Sequence, residues 1–302
     1  MHEDYLRKGI VALSRVLDSG YPGSDRGWFA GHWPCAVIAA YYFCRDNPVD
    51  PGVDAAVTRE VERVIDRHRE LFAPHEAETG VETRRVEGLV RSLQASITRF
   101  MVSGHNVIYA AYAVRVLADK PELGTPPVLN GLQALIGYFA GRTDGVVPSQ
   151  SLVDGKSLTP EYGSDDDMIA GVFATLQYAP RLSDRHRILF DGHTMTHAHA
   201  LALLSRLGFG AIARQGHASH RVHMEQNRET QSQHINERWT EKVTVDDHPF
   251  TCAFWDRDFD RFDRQWEWGH VFKYLYSFYD LVDRVDDPRI NRCCEMQLAY
   301  LV

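Results

Sequence analysis

The stretch "RILFDGHTMTHAHALALLSRLG", residues 187–208, sets His193, His197 and His199 at the mouth of a segment that turns almost wholly apolar. From Ala198 to Leu204 the residues other than His199 are small or aliphatic on every side of a helical turn. A helix that is apolar all round is buried among other helices. Histidine is costly to bury without a partner, so three imidazoles at the start of such a helix need a reason. Working outward, the pair Gly192-His193 recurs. "WFAGHWPCAVIAAYYF" contains Gly31-His32, "FMVSGHNVIYAAYAVRVL" contains Gly104-His105, and "WEWGHVFKYLYSFYDLV" contains Gly269-His270. Each copy has an apolar or aromatic lead-in, then Gly-His, then a largely apolar helix.

This fourfold theme sets the expected fold. The chain reads as all-α, one helical domain over 1–302, with buried histidine-bearing helices around a central cavity. Amphipathic helices surround them. "AAVTREVERVIDRHRELF" carries Val57, Val61, Val64, Ile65 and Leu71 on one face and charges opposite, the pattern of a surface helix. "PPVLNGLQALIGYFAGR" opens with prolines and is followed by a "TDG" turn, the expected punctuation. Strand signals are scarce, with "EKVTVDD", 241–247, the best short candidate. The span 141–164 reads as a long connection, and long connections often cover sites.

Four histidines from four helices can surround one ion, since imidazole is the commonest protein ligand for transition metals. The preceding glycine lets backbone pass close to the site. A helix N-terminus keeps the imidazole neutral, which is the ligating form. Several positive helix ends facing a cation are unfavourable, and an anionic co-ligand would offset them. The competing explanation is that each histidine caps its helix or bonds a nearby carbonyl. Two other groupings compete. His193 and His197 share a helix face at i, i+4, and "GHASHRVH" sets His217, His220 and His223 three residues apart in a polar stretch that reads as a solvated face. "SDDDM", 164–168, reads as a helix N-cap at Ser164 followed by acids.

Lys273 follows His270 by three residues in an otherwise apolar and aromatic segment, so the two share a helix face. Two accounts stand for it: a salt bridge to an acid such as Asp280 or Asp283, or carboxylation by CO2 to a carbamate that adds an oxygen ligand. Trp28, Trp33, Tyr109, Tyr112 and Trp268 lie near the Gly-His turns and could line an aromatic substrate pocket or simply pack the core.

At these residues the sequence resembles the questin oxidase-like proteins, helical oxygenases of aromatic polyketide metabolism. The likeness lies in "GHNVIYAAYAVRVL" with "LNGLQALIGYFAGR", in "GHTMTHAHALALL", in "GHVFKYLYSFYDLVDRVDDPR" and in "GHWPCAVIAAYYF". Met195 stands where the family has valine, and Gly31 where it has asparagine. The resemblance implies oxidative chemistry on a polycyclic aromatic or quinone, by oxygen insertion or ring cleavage. It implies a metal held by His32, His105, His193 and His270, with Lys273 beside them as ligand or catalytic group. Both non-haem iron enzymes and NADPH-dependent Baeyer–Villiger-type monooxygenases are described in the family. The chain has no GxGxxG, P-loop or GxSxG motif, which favours Fe(II) over a nucleotide cofactor.

The expected function is therefore that of an oxidoreductase, a metal-dependent oxygenase taking O2 and a small aromatic molecule. Zinc is the alternative metal, in a hydrolase or lyase, and a non-catalytic helical binding protein is the other alternative. Net charge is −8 and no apolar run approaches membrane-span length, so nucleic-acid and membrane partners are not expected. Five cysteines without a CxxC pair fit a reducing, cytoplasmic setting. A homo-oligomer is left open.

Overall fold

The computed structural model describes residues 1–18, 24–73, 86–142, 154, 156–176, 191–233, 248–256 and 269–301. Among the described residues there are helices and turns and no β-strand. The strand candidate at 241–247 and Trp268 lie outside them. The helices, in order, are α1 (Asp4–Ser14), α2 (His32–Asp46), α3 (Pro51–Arg67), α4 (Val86–Gln94), α5 (His105–Asp119) and α6 (Pro126–Ala140). They continue with α7 (Asp165–Leu176), α8 (Asp191–Leu204), α9 (Gly210–Gln233), α10 (Cys252–Trp255), α11 (His270–Leu281) and α12 (Pro288–Leu301).

Local signals start these helices where the sequence suggests. The Asp50 carboxylate accepts the Val53 N–H ahead of Pro51 and caps α3. Ser164 accepts the Asp167 N–H, and Asp167 in turn accepts the Gly163 N–H. The acidic run 165–167 is thus the first turn of α7, where negative charge complements the helix dipole.

The centre of the fold is a ring of four helices. α2 packs on α5, α5 on α8, α8 on α11, and α11 back on α2. These are the helices with apolar residues on all sides. His32–Cys44 and Gly192–Leu204 are buried without a break, and so are His105–Leu117 apart from Arg115. Helices with one apolar face lie outside the ring: α1 against α2 and α6, α3 against α2, α4 against α5, and α7 and α9 against α8. In α3, Val57 and Val61 are buried as its pattern predicts.

The four glycines explain how the ring closes. A Cβ on Gly31 would lie 2.5 Å from the Tyr109 ring, four residues past His105. A Cβ on Gly104 would lie 2.7 Å from the ring of His197, four residues past His193. One on Gly192 would fall inside the ring of Tyr274, four past His270, and one on Gly269 would collide with the Cβ of Ala36, four past His32. Each Gly-His turn is therefore the seat for the next helix of the ring, always at the position one turn beyond its histidine. Gly104 and Gly269 also hold positive φ, +79° and +65°, which only glycine adopts at little cost. The recurrence in sequence is a recurrence in packing.

This arrangement separates two kinds of glycine. Gly192→Ala is expected to lower unfolding free energy by about 1–3 kcal/mol, because the added methyl overpacks a closed seat. Gly137→Ala, on an exposed face of α6 with open space around it, is expected to raise it by about 0.4–1 kcal/mol. Denaturant melts of the two variants against the parent chain check the contrast.

Candidate metal centre

The ring of helices brings His32, His105, His193 and His270 together. Their potential ligand atoms all lie within 4.8 Å of one another, and all four side chains are buried. Ring centroids follow the order of the helices: His32–His105 4.4 Å, His105–His193 5.0 Å, His193–His270 4.8 Å and His270–His32 5.1 Å. Three of the histidines are the first residue of their helix, and His193 lies in the first turn of α8. Four helix N-termini thus meet at one point.

Backbone and tyrosines fix the imidazoles. Nδ1 of His32 lies 2.7 Å from the Phe29 carbonyl, and Nδ1 of His105 lies 2.5 Å from the Val102 carbonyl. A carbonyl only accepts, so both Nδ1 atoms carry the proton and leave Nε2 with its lone pair. The Tyr109 hydroxyl stands 3.1 Å from His32 Nδ1, and the Tyr274 hydroxyl 3.2 Å from His193 Nδ1. Tyr274 also stacks nearly parallel on His270, 5.4 Å between centroids. The turn before His105 is strained, since Val102 and Ser103 hold φ of +40° and +55°. Such residues cost about 1–3 kcal/mol each and persist where the surroundings over-determine them. Here the strained turn aims the Val102 carbonyl at His105.

The residues fit a metal ion. Nε2 of His105 is buried with no hydrogen-bond partner among the described residues, a costly state for a polar atom unless something else binds it. Burial pushes the pKa of His32, His105 and His270 well below the usual 6.5. The charge of Lys273 adds to this at His32 and His270, and after the neighbouring imidazoles at His105. These three imidazoles are therefore in the neutral, ligating form. Among the described residues the cluster contains no Asp or Glu. Lys273 is 2% exposed, and among the described residues no carboxylate pairs with it. Asp280, one candidate partner, is engaged by His199 and Arg206.

The aromatic residues divide. The half-buried Trp28 lies 5.1 Å from His105 and 5.9 Å from His32, and Phe29 lies 4.2 Å from His32. Tyr109 packs edge-on to both histidines. Trp33 stacks on His68 at 3.7 Å, and Tyr112 packs against His199 and Tyr276. Phe29 and Tyr274 carry contacts that sequence reasoning did not assign. The signal was present for Tyr274: it repeats the His105–Tyr109 spacing of four residues.

The other histidines settle in their own places. His217, His220 and His223 do not form a solvated face: all three are buried. The reason is that α9 lies against α8 and is covered by residues 157–162, where Thr159 donates to Glu225 and Tyr162 pairs with His220. His197 shares a 3.3 Å Nδ1–Nδ1 hydrogen bond with His223, which stacks on Phe100. His199 sits 3.0 Å from the Ser277 hydroxyl and 2.9 Å from Asp280. That string has the composition of a hydrolytic triad, but Ser277 and His199 are 0% exposed and it fastens α8 to α11.

No protein-family model matches the chain, and no curated protein or solved structure matches it. The geometry of the centre is thus what bears on function. No helix among the described residues is long and apolar enough to cross a membrane.

Tyr274→Phe keeps the stack on His270 and removes the hydroxyl from His193. Loss of such an outer partner typically weakens metal binding about 10–100-fold, and competition with a chelator of known affinity measures it. A second expectation concerns pH. Burial pushes His220 down to about 4, below its unfolded value of about 6.5. The unfolded chain binds the proton first, so this contribution to stability is whole above pH about 6.5 and is lost as pH falls through about 4. Thermal melts across that window should show His220→Gln with a shallower acid slope than the parent.

Proposed function

We propose that this chain is a non-haem iron oxygenase acting on an aromatic or quinone-type small molecule, with the whole chain forming one helical domain. The observation that carries it is the closed ring of four buried histidines, with no carboxylate in the cluster among the described residues. An all-imidazole donor set suits iron, copper, zinc and nickel. A zinc hydrolase needs a general base beside the ion, and among the described residues the cluster offers no acid for that part. The surroundings also favour an aromatic partner, since Trp28, Phe29, Tyr109 and Tyr274 all pack on the imidazoles. The resemblance to questin oxidase-like proteins points the same way, toward oxygen insertion or ring cleavage of a polyketide-like substrate.

His32, His105, His193 and His270 would hold the ion through their inward nitrogens. When bound, iron(II) supplies the electrons that make O2 reactive toward an electron-rich ring. The chain's own residues do the rest. Tyr109 and Tyr274 orient the imidazoles of His32 and His193 through their hydroxyls. Burial of the four histidines excludes bulk water, which protects reactive species from side reactions. Trp28 and Phe29, half-buried beside His32 and His105, offer flat apolar faces against which a planar substrate can stack.

Protein purified without a histidine tag should carry about one iron per chain, and His105→Ala should carry almost none while remaining folded by circular dichroism. An aromatic substrate should then be consumed with O2 and without added nicotinamide. Stoichiometric zinc in place of iron would favour the hydrolase, and strict dependence on NADPH would move the assignment to a Baeyer–Villiger-type monooxygenase. A chain that binds no metal at all would be a binding protein.

A further inference from the structure

Deeper in the ring than the metal ligands lies a second polar layer. Tyr42 on α2, Tyr112 on α5, His199 on α8 and Tyr276 on α11 supply one side chain from each helix, and all four are buried. Between ring centroids Tyr112 is 5.8 Å from Tyr276 and 6.1 Å from His199, and Tyr276 is 4.6 Å from His199 and 5.5 Å from Tyr42. Tyr112 follows His105 by seven residues on the same helix, which is about 10 Å along its axis. An aliphatic layer would fill this space without the cost of burying hydroxyls.

One of these tyrosines has a proton acceptor behind it. His199 Nε2 lies 2.9 Å from the Asp280 carboxylate. Burial opposes the charge on Asp280, but His199 and Arg206 hold its pKa well below the usual carboxylate range, so it is ionised. An ionised carboxylate only accepts, so Nε2 carries the proton and Nδ1 keeps its lone pair. The Ser277 hydroxyl, 3.0 Å from Nδ1, donates to it, and Ser277 Oγ remains as acceptor for Tyr112. Burial pushes the Tyr112 pKa well above the usual 10, and Ser277, as a hydrogen-bond partner, pulls the other way. The contact is loose, since the Tyr112 hydroxyl makes no well-aligned hydrogen bond among the described residues.

The neighbouring tyrosines lack such a base. The Tyr42 hydroxyl has no partner among the described residues, and the Arg45 and Arg115 guanidinium groups lie 4.5 and 5.0 Å from the centre of its ring, where they oppose any positive charge. Tyr276 hydrogen-bonds no base among the described residues. Tyr109 stands against His32, whose Nδ1 already donates to the Phe29 carbonyl. A buried phenol keeps its proton at neutral pH. A phenol that has lost an electron is a strong acid, and a base already in place lowers the cost of removing that electron.

We propose that Tyr112 is a redox-active tyrosine, oxidised to a neutral radical when the iron centre is oxidised by O2 or peroxide with no aromatic substrate to take the oxidising equivalent. One electron passes from the phenol to the oxidised iron centre, which is reduced by one unit. The Tyr112 O–H bond breaks and its proton goes to Ser277 Oγ. Ser277 passes its own proton to His199 Nδ1, where a new N–H bond forms. The resulting imidazolium is paired with Asp280, so the buried charge is compensated. The oxidising equivalent is thereby drawn away from the ligand imidazoles. The inference rests on the oxygenase reading for the source of the oxidant.

The test uses the whole chain loaded with iron(II), without aromatic substrate, mixed with O2 in one arm and hydrogen peroxide in the other, then frozen and read by EPR. Both arms should give a tyrosyl signal that narrows in protein grown on ring-deuterated tyrosine and is absent from Tyr112→Phe, which keeps the ring and loses only a hydroxyl. Formation should be slower in D2O, and Ser277→Ala should cut the yield by about tenfold or more. The D2O and labelling measurements use the parent chain and stand even where a variant does not fold. A signal unchanged in Tyr112→Phe, or no tyrosyl signal in either arm, would overturn the proposal. A Tyr112 signal with peroxide but not with O2 supports the redox tyrosine and counts against the oxygenase. O2 consumed with an aromatic substrate, but no signal in either arm, does the reverse.

Discussion

The centre depends on how closely four helices approach one another at their first turns, and that approach is set by what is missing from Gly31, Gly104, Gly192 and Gly269. Each glycine faces the residue one turn beyond the next histidine of the ring: Tyr109, His197, Tyr274 or Ala36. A side chain at any of the four would push the neighbouring helix outward and take its histidine with it. Packing and metal geometry are therefore one constraint, because the contact that closes the ring is the contact that sets the spacing of the imidazoles. The same constraint explains why the residues one turn on do double duty. Tyr109 and Tyr274 fill a seat with the ring and hold a ligand histidine at its Nδ1 with the hydroxyl.

Much of this was legible in the chain. Helices such as 105–119 and 192–204 have apolar residues on every face, and only a position inside a bundle satisfies them. The four Gly-His pairs marked which ends of those helices meet. Other features were not legible for stated physical reasons. The stretch from His217 to His223 is polar in composition, and its burial comes from long-range partners, Tyr162 and Asp165, that local pattern does not reveal. The three positive φ values before His105 follow from tertiary closure and leave no mark beyond Gly104 itself. Trp33 stands next to a ligand histidine in sequence, yet its ring stacks on His68, since neighbours on a helix point some 100° apart.

The electrostatics of the centre follow from the same architecture. Starting four helices at one point lets the first residue of each reach the middle with a short, rigid side chain. It also aims the partial positive charge of four helix N-termini inward. Carbonyls from the preceding turns, those of Phe29 and Val102, accept hydrogen bonds from the imidazole Nδ1–H groups, but they do not supply negative charge. Among the described residues, a centre built this way is rich in neutral donors to a metal and poor in counter-ions.

The helix that opened the sequence analysis has one more consequence. Along α8, His193 faces the metal cluster, His197 faces Gly104 and His223, and His199 faces Ser277 and Asp280. These three imidazoles key the rod into three different locks at once. Turning α8 by one residue's worth of rotation would unseat all of them together. The helix therefore has a single permitted phase and a single permitted depth, and a one-residue insertion or deletion between 193 and 199 would leave no setting in which the keys fit.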